Sequence, residues 1–185
     1  MDKLFFATGN EGKAREAQQI LGIPIEIKEI ELDEIQSLDL KKIVEHKLMQ
    51  AFEKVNASVI VDDVALKLEA WNGFPGPFVK FLHTASSGNN QLILKMLKNE
   101  ENRNGILVAT IGYHDGKEMH FFTGELKVTI ATEERGDNGW GLDPILIPEG
   151  SDKTYSEMSE EEKNADSHRT RALVKFKEFL DSQKA

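Results

Sequence analysis

The fold is decided by the stretch Val59-Ile60-Val61-Asp62-Asp63, in which a continuous β-branched run passes directly into two carboxylates. Such a run is typical of a strand that is covered on both faces, as in parallel sheets connected by helices. Helices are predicted on its N-terminal side: one over residues 11–21 that ends at Gly22, and one that begins at Asp39 and repeats apolar residues at helical spacing. This part of the chain is therefore predicted to be α/β.

The second half of the chain adds a hairpin and a final helix. Residues 106–113 and 119–132 are predicted strands on either side of His114-Asp115-Gly116-Lys117, which is a strong turn signal. The apolar phase changes near Gly124, which suggests a bulge. The last helix carries one apolar face, formed by Ala172, Leu173, Phe176, Phe179 and Leu180. Helices interleaved with a central strand and a long hairpin predict an α/β class with a mixed sheet, and no linker divides residues 1–185, so we expect one domain.

Composition excludes several classes of protein. The 185 residues carry a formal net charge of −9, which argues against a non-specific duplex-DNA binder because such proteins need a continuous basic surface. Cysteine is absent, so disulfides, thiolate nucleophiles and cysteine-ligated metals are excluded. No apolar run reaches the roughly 18–20 residues that span a bilayer. The opening residues look too short for a signal peptide, so a cytoplasmic location is the expectation.

Two features of the first 50 residues point to an anion. The segment Thr8-Gly9-Asn10-Glu11-Gly12-Lys13 places a strand end, a glycine turn and a helix start together, which suits a phosphate, although an ordinary capped turn explains it as well. Lys47 lies within the apolar stripe of its helix, between Ile43 and Ala51. A lysine at this position either extends its ammonium group to solvent or meets an anion.

The paired carboxylates of Asp62-Asp63 are costly in a core unless cations or hydrogen-bond donors meet them. Side chains alternate along a strand, so one of the two is expected to face a given site. Together with Glu34, that carboxylate is a candidate for holding Mg²⁺, which prefers oxygen ligands. A solvated acidic turn is the alternative reading.

Trp140 lies between two glycines in Gly139-Trp140-Gly141-Leu142-Asp143-Pro144. Flanking glycines let the chain bend and leave the indole face open for a stacked base, whereas the usual alternative is a core tryptophan. Asp143 precedes a proline, so its carboxylate is expected to point toward this loop. Near the start of the last helix the cations Lys163, His168 and Arg169 oppose the helix dipole, which suggests that an anionic or polar ligand offsets them.

These segments, in this order, resemble the inosine triphosphate pyrophosphatase family, the non-canonical purine nucleoside triphosphatases. The resemblance covers nearly the whole chain and is most specific in its last block. The matching segments are Ala7 through Lys13, Glu34-Ile35-Gln36, Asp62-Asp63, Gly73-Phe74-Pro75-Gly76-Pro77, Gly139 through Pro144, Lys153-Thr154-Tyr155, Glu162-Lys163-Asn164 and Ser167-His168-Arg169.

The resemblance implies an α/β fold with a long central mixed sheet flanked by helices, in two lobes with an active-site cleft between them. It implies a homodimeric enzyme that hydrolyses ITP, dITP and XTP to the monophosphate and pyrophosphate with Mg²⁺. From the charge and the apolar runs given above, neither nucleic acid nor a membrane is an expected partner. By position, the triphosphate would be held by Thr8, Asn10, Lys13, Lys47 and Lys163. Glu34 and Asp63 would serve the metal, with Asp63 as the catalytic residue that orients or deprotonates the attacking water. Trp140 would stack on the base, and Asp143, His168 and Arg169 would recognise it.

Two departures from the family pattern affect substrate preference more than reaction type. Val64-Ala65 stands where many members have Ser-Gly, and Trp140 stands where the platform is often Phe. Three alternatives remain open. They are a regulatory module that binds a triphosphate without cleaving it, a pyrophosphatase for modified pyrimidines or canonical nucleotides, and a structural dimerisation domain.

Overall fold

The computed structural model describes residues 3–85, 87 and 90–183. The strands are β1 (Leu4–Ala7), β2 (Ile25–Lys28), β3 (Val59–Leu68), β4 (Pro75–Gly76), β5 (Asn104–His114), β6 (Met119–Ile130) and β7 (Leu146–Pro148). The α-helices are α1 (Glu11–Leu21), α2 (Leu40–Val55), α3 (Val79–Ala85), α4 (Gln91–Met96), α5 (Glu160–Ala165) and α6 (His168–Ser182). Short 3₁₀ turns cover Glu69–Trp71, Asp143–Ile145 and Tyr155–Glu157. None of the helices in these described ranges is long and apolar enough to cross a membrane.

The strands of the described residues form one mixed sheet in the order β2-β1-β3-β5-β6-β7, and β4 pairs with β3. β1 runs parallel to both β2 and β3, whereas β4 is antiparallel to β3 and β7 is antiparallel to β6. Parallel neighbours need helical crossovers, which α1 and α2 supply. The predicted α/β class with a mixed sheet is therefore confirmed.

The helix boundaries follow from local capping chemistry. The side chain of Asn10 accepts the Lys13 N–H at the start of α1, and Gly22 ends that helix in the left-handed region with φ 63°. At α2, the Asp39 side chain accepts from the first-turn amides, as predicted. The predicted hairpin is also present, because Asp115 closes the turn between β5 and β6 by accepting two backbone N–H groups.

Asp62 and Asp63 lie inside β3, which continues beyond them for five residues to Leu68. The continuation is stabilised by alternating apolar residues and by the pairing of Leu66 with Gly76 of β4. Both carboxylates therefore leave the backbone inside a strand, on opposite faces, and only Asp62 is buried.

The chain divides into two compact units that are interleaved in sequence. The first unit comprises residues 1–64, 109–124 and 169–185, and the second comprises residues 65–108 and 125–168. The first unit has a continuous apolar core that joins β1, α1, β5 and α6, with Phe6 and Phe176 among its fully buried residues. In the second unit, alternate residues of β6 are buried, including Leu126, Val128 and Ile130.

Candidate active site

The turn between β1 and α1 is built by its own side chains. The Asn10 N–H donates to Thr8 Oγ1 at 3.1 Å, and Asn10 Oδ1 accepts the Lys13 N–H at 3.1 Å. The capped strand–helix turn is therefore present. Lys13 Nζ donates to Asp62 Oδ1 of β3 at 2.8 Å. The predicted phosphate turn thus places a cation beside the paired carboxylates.

Asp62 is the centre of a buried ion network in the first unit. Its second oxygen accepts from Arg169 Nε at 3.1 Å, and Arg169 Nη1 donates to Glu16 Oε2 at 2.5 Å. The side chains of Asp62 and Arg169 are only 1% and 2% exposed. Burial alone would raise the pKa of Asp62, but the charges of Lys13 and Arg169 outweigh it and hold the pKa well below its ordinary value of 3.8. The Asp62 carboxylate is therefore charged.

Arg169 responds in the opposite direction. Burial opposes its charge, but Asp62 and Glu16 more than compensate, and the pKa of Arg169 is raised. The resemblance implied a base-recognition role for Arg169, yet the guanidinium described here is bound to two carboxylates. Glu16 was not anticipated from the sequence. The available signal was a glutamate three residues after Lys13 and directly before Ala17, on the face of α1 that is buried.

A second cluster surrounds Lys47, whose side chain is 11% exposed. Its ammonium donates to Asp63 Oδ2 at 3.0 Å, to Glu34 Oε1 at 3.2 Å and to the main-chain oxygen of Asp62 at 3.3 Å. Lys47 therefore meets anions instead of extending to solvent. Because Asp62 contacts both Lys13 and Lys47, the two clusters are joined within the first unit. We call this joined set the lysine–carboxylate cluster; its members are Lys13, Glu16, Glu34, Lys47, Asp62, Asp63 and Arg169.

The carboxylates of Glu34 and Asp63 have the chemistry that Mg²⁺ requires. Both are oxygen donors, both are partly accessible, and both converge on one cation, the Lys47 ammonium. Among the described residues there is no group of three or more acidic, histidine or cysteine side chains arranged to hold a metal. Mg²⁺ commonly binds through one or two carboxylates together with substrate phosphates, so this pair fits a metal that arrives with a phosphate ligand.

The second unit gathers the other predicted residues around Trp140. Gly139 and Gly141 both have positive φ, 78° and 64°, so the chain bends on each side of the half-buried indole as expected. Asp143 Oδ2 accepts the Trp140 N–H at 2.9 Å and the Lys163 ammonium at 2.7 Å. Asp143 thus faces the loop, as predicted, but it is buried and both contacts are internal to the unit.

Lys163 lies over the indole ring. Its Nζ is 5.2 Å from the Trp140 ring centroid and 5.6 Å from the Tyr155 ring centroid, and the residue is 6% exposed. The resemblance implied that Lys163 holds the triphosphate. In the described structure its ammonium packs against the Trp140 and Tyr155 rings and donates to Asp143. We call Trp140, Asp143, Tyr155 and Lys163 the tryptophan cluster. His168 is buried at the start of α6.

Fold and site together define the class of protein. It is an α/β protein with a mixed sheet, a lysine–carboxylate cluster in the first unit and the tryptophan cluster in the second. A model of the Ham1 family matches residues 4–179. The chain therefore belongs to the Ham1 family, and it is an enzyme of the pyrophosphatase class.

Proteins of known name are similar to this chain over nearly its full length and over nearly the full length of their own chains. A dITP/XTP pyrophosphatase of Methanopyrus kandleri is 43% identical over 99% of this chain and 98% of its own. An inosine triphosphate pyrophosphatase of Schizosaccharomyces pombe is 37% identical over 100% of this chain and 98% of its own. The structure of the Staphylococcus aureus Ham1 protein superimposes with a TM-score of 0.84 at 26% identity, covering 98% of this chain and 100% of that one.

Proposed function

We propose that this protein hydrolyses non-canonical purine nucleoside triphosphates, namely ITP, dITP and XTP, to the monophosphate and pyrophosphate, and so cleanses the nucleotide pool. The names of the similar proteins support the substrate class. The observation that carries the proposal is the lysine–carboxylate cluster, in which Lys13 binds Asp62 and Lys47 binds both Asp63 and Glu34. Phosphate-ester and anhydride cleavage asks mainly for positioning and charge neutralisation, which such a cluster provides.

The triphosphate would bind at the phosphate turn. Thr8 and Asn10 shape the turn, and Lys13 and Lys47 neutralise the phosphate oxygens. Both ammonium groups are bound to carboxylates in the described structure, so an incoming polyanion exchanges lysine–carboxylate contacts for lysine–phosphate contacts. Arg169 lies behind Asp62 and keeps that carboxylate charged and fixed while Lys13 turns to the substrate.

Glu34 and Asp63 would hold Mg²⁺. When bound, the metal supplies charge neutralisation on the phosphate oxygens and on the departing pyrophosphate. Asp63 is the group assigned to the water: its Oδ2 atom is accessible once Lys47 contacts a phosphate, and Oδ1 is fixed by the Val64 N–H at 2.9 Å. A carboxylate held by one oxygen can orient the attacking water and accept its proton through the other.

The base would stack on Trp140. Beside that platform, the Lys163 ammonium donates to Asp143 Oδ2 and lies over the indole ring. Hypoxanthine and xanthine carry an oxygen at position 6, whereas adenine carries an amino group that would leave a buried donor unpaired. By the resemblance, Asp143, His168 and Arg169 would recognise the base, and Lys163 would hold the triphosphate.

A homodimeric state, a cytoplasmic location and the absence of nucleic-acid or membrane partners stay predictions of this proposal. The net charge of −9 supports the expectation that duplex nucleic acid is not a partner.

A substrate panel tests the proposal directly. ITP, dITP and XTP are compared with ATP, GTP and modified pyrimidine triphosphates, and pyrophosphate is scored separately from orthophosphate, with Mg²⁺ and after chelation. We expect pyrophosphate from the three non-canonical purines, loss of turnover on chelation, and recovery when Mg²⁺ is restored. Binding of ITP without release of pyrophosphate would identify a regulatory module, and orthophosphate as the product would overturn the assigned bond cleavage.

A further inference from the structure

Asn90, directly before α4, has side-chain contacts that the proposed reaction does not use. It is 1% exposed, and its Nδ2 donates to the main-chain oxygen of Gly141 at 3.0 Å. Its backbone N–H donates to Glu134 Oε1 at 2.7 Å. Gly141 follows Trp140 directly, so the buried amide of Asn90 connects the N-terminal end of α4 to the loop that carries the indole.

The same side chain carries an unusual cost. Among the described residues, Asn90 Oδ1 has no hydrogen-bond partner although the atom is buried. An unpaired buried amide oxygen destabilises a fold, and leucine, whose side chain has the same branching, would remove that cost. Asn90 is therefore poorly explained as a residue that serves stability alone, and its specific contribution is the hydrogen bond to Gly141.

The loop that receives this hydrogen bond needs a restraint. Gly139 and Gly141 have no side chain to pack, and both backbones lie in the left-handed region, so the glycines leave the loop conformationally permissive. On the N-terminal side, the Trp140 N–H is held by Asp143 Oδ2. On the C-terminal side, the Asn90 amide donates to the main-chain oxygen of Gly141. Asn90 and Asp143 thus hold the tryptophan from both sides.

We propose that Asn90 is a positioning residue that fixes the Trp140 platform in its stacking orientation before substrate binds. The role of Asn90 in substrate binding rests on the proposed function. A preordered platform spares the entropy of ordering the loop when a base stacks on it, so Asn90 contributes to affinity for the nucleoside part of the substrate. It contributes nothing to affinity for the phosphates, which we assign to the lysine–carboxylate cluster.

The first test reads Trp140 without any substrate. In a Trp71→Phe background, Trp140 is the one remaining tryptophan, and its acrylamide quenching is compared with and without Asn90→Leu. The matched control is Gln91→Leu, which removes a neighbouring amide that contacts Glu134 at 3.4 Å. We expect a larger quenching constant for Asn90→Leu and no change for Gln91→Leu. Equal quenching in both variants would overturn the proposal.

The second test separates affinity for the base of the substrate from affinity for its phosphates. Asn90→Leu is expected to raise the KM for ITP about threefold to tenfold at nearly unchanged kcat, because a stacked base is worth on the order of a tenfold factor or more in affinity. The inhibition constant of inorganic tripolyphosphate, which has no base, should stay unchanged. A parallel loss of tripolyphosphate affinity would overturn the positioning role in favour of general disorder.

One further variant and the order of the tests separate failure of this proposal from failure of folding or of the proposed function. Asn90→Ser, whose hydroxyl is too short to span the contact, should reproduce the quenching result if Asn90→Leu does not fold. If the unmodified protein cleaves no ITP, the proposed function fails, while the quenching comparison still decides whether Asn90 orders the Trp140 loop.

Discussion

Asp63 and Asp62 are adjacent carboxylates with different surroundings, and the difference separates their roles. Asp62 is buried between two cations, whereas the Asp63 side chain is 15% exposed and bound to Lys47. We expect Asp63→Asn to lower kcat about 10²–10⁴-fold, the range typical of a lost general base, with nucleotide affinity nearly unchanged. Steady-state kinetics and ITP titration measure both. Asp33→Asn, at an exposed aspartate next to Glu34, is the control, and a near-normal kcat in Asp63→Asn would contradict the assigned role.

At Trp140, the expected effect is on binding instead of turnover. Trp140→Ala removes the stacking surface, which is worth ~1–3 kcal/mol per base, so the KM of every purine substrate should rise about tenfold or more. Trp71→Phe, at the other tryptophan, should leave KM unchanged. An unchanged KM in Trp140→Ala would mean that the indole serves packing in the second unit.

Among the elements, the loop from Gly139 to Asp143 offers a matched pair of substitutions. Gly139 and Gly141 have similar positive φ, so alanine strains the backbone at either position by about 1–2 kcal/mol. A Cβ at Gly139 would overlap Asp143 Oδ2, whereas a Cβ at Gly141 would meet no atom of the described residues within 4 Å. Gly139→Ala should therefore displace the carboxylate that holds Trp140 and Lys163. We expect a lower melting temperature and a higher KM for ITP than in Gly141→Ala; equal values would contradict the close approach.

Local chemistry explains which elements could be predicted from the sequence. The ends of α1 and the start of α2 follow from Asn10, Gly22 and Asp39, each of which caps a helix within a few residues. The burial of Asp62 inside β3 could not be predicted from the local sequence, because the cations that offset its cost, Lys13 and Arg169, are brought by distant elements.

Distant partners also limited what could be predicted about the site. The sequence shows Lys47 as a lysine within an apolar helix stripe, which leaves two possibilities, solvent or an anion. Its partners Glu34 and Asp63 lie 13 and 16 residues away, so only the structure identifies the anion. Asn90 carries no local signal, since its contact with Gly141 spans 51 residues.

For the whole molecule, the net charge of −9 conceals an uneven distribution. The partly buried Lys13 and the buried Arg169 lie against carboxylates in the first unit, and Lys163 lies against Asp143 in the second. Screening limits an exposed charge to a range of ~8–10 Å, so a bound triphosphate responds to these local lysines more than to the total charge. An acidic protein is therefore compatible with an anionic substrate.

The ion network also links pH to the stability of the whole fold. The pKa of Asp62 is lowered in the folded state, so its contribution to stability is complete above the ordinary aspartate pKa of 3.8 and is lost as the pH falls below that value. The sign follows because the unfolded chain takes up a proton there while the folded chain does not. Arg169 stays charged throughout this range, since its pKa is raised.

Asp62→Asn should therefore change both the level and the pH dependence of stability. At neutral pH we expect a loss of about 3–5 kcal/mol in the free energy of unfolding, because Arg169 and Lys13 are left without their shared carboxylate. Between pH ~5 and ~3 the decline in stability should be shallower than in the unmodified protein. Urea unfolding at each pH measures both, with Asp33→Asn as the exposed-carboxylate control. If the variant and the unmodified protein lose stability with the same slope, the charged state of Asp62 does not couple to folding, and the lysines and Arg169 are held by the rest of their surroundings.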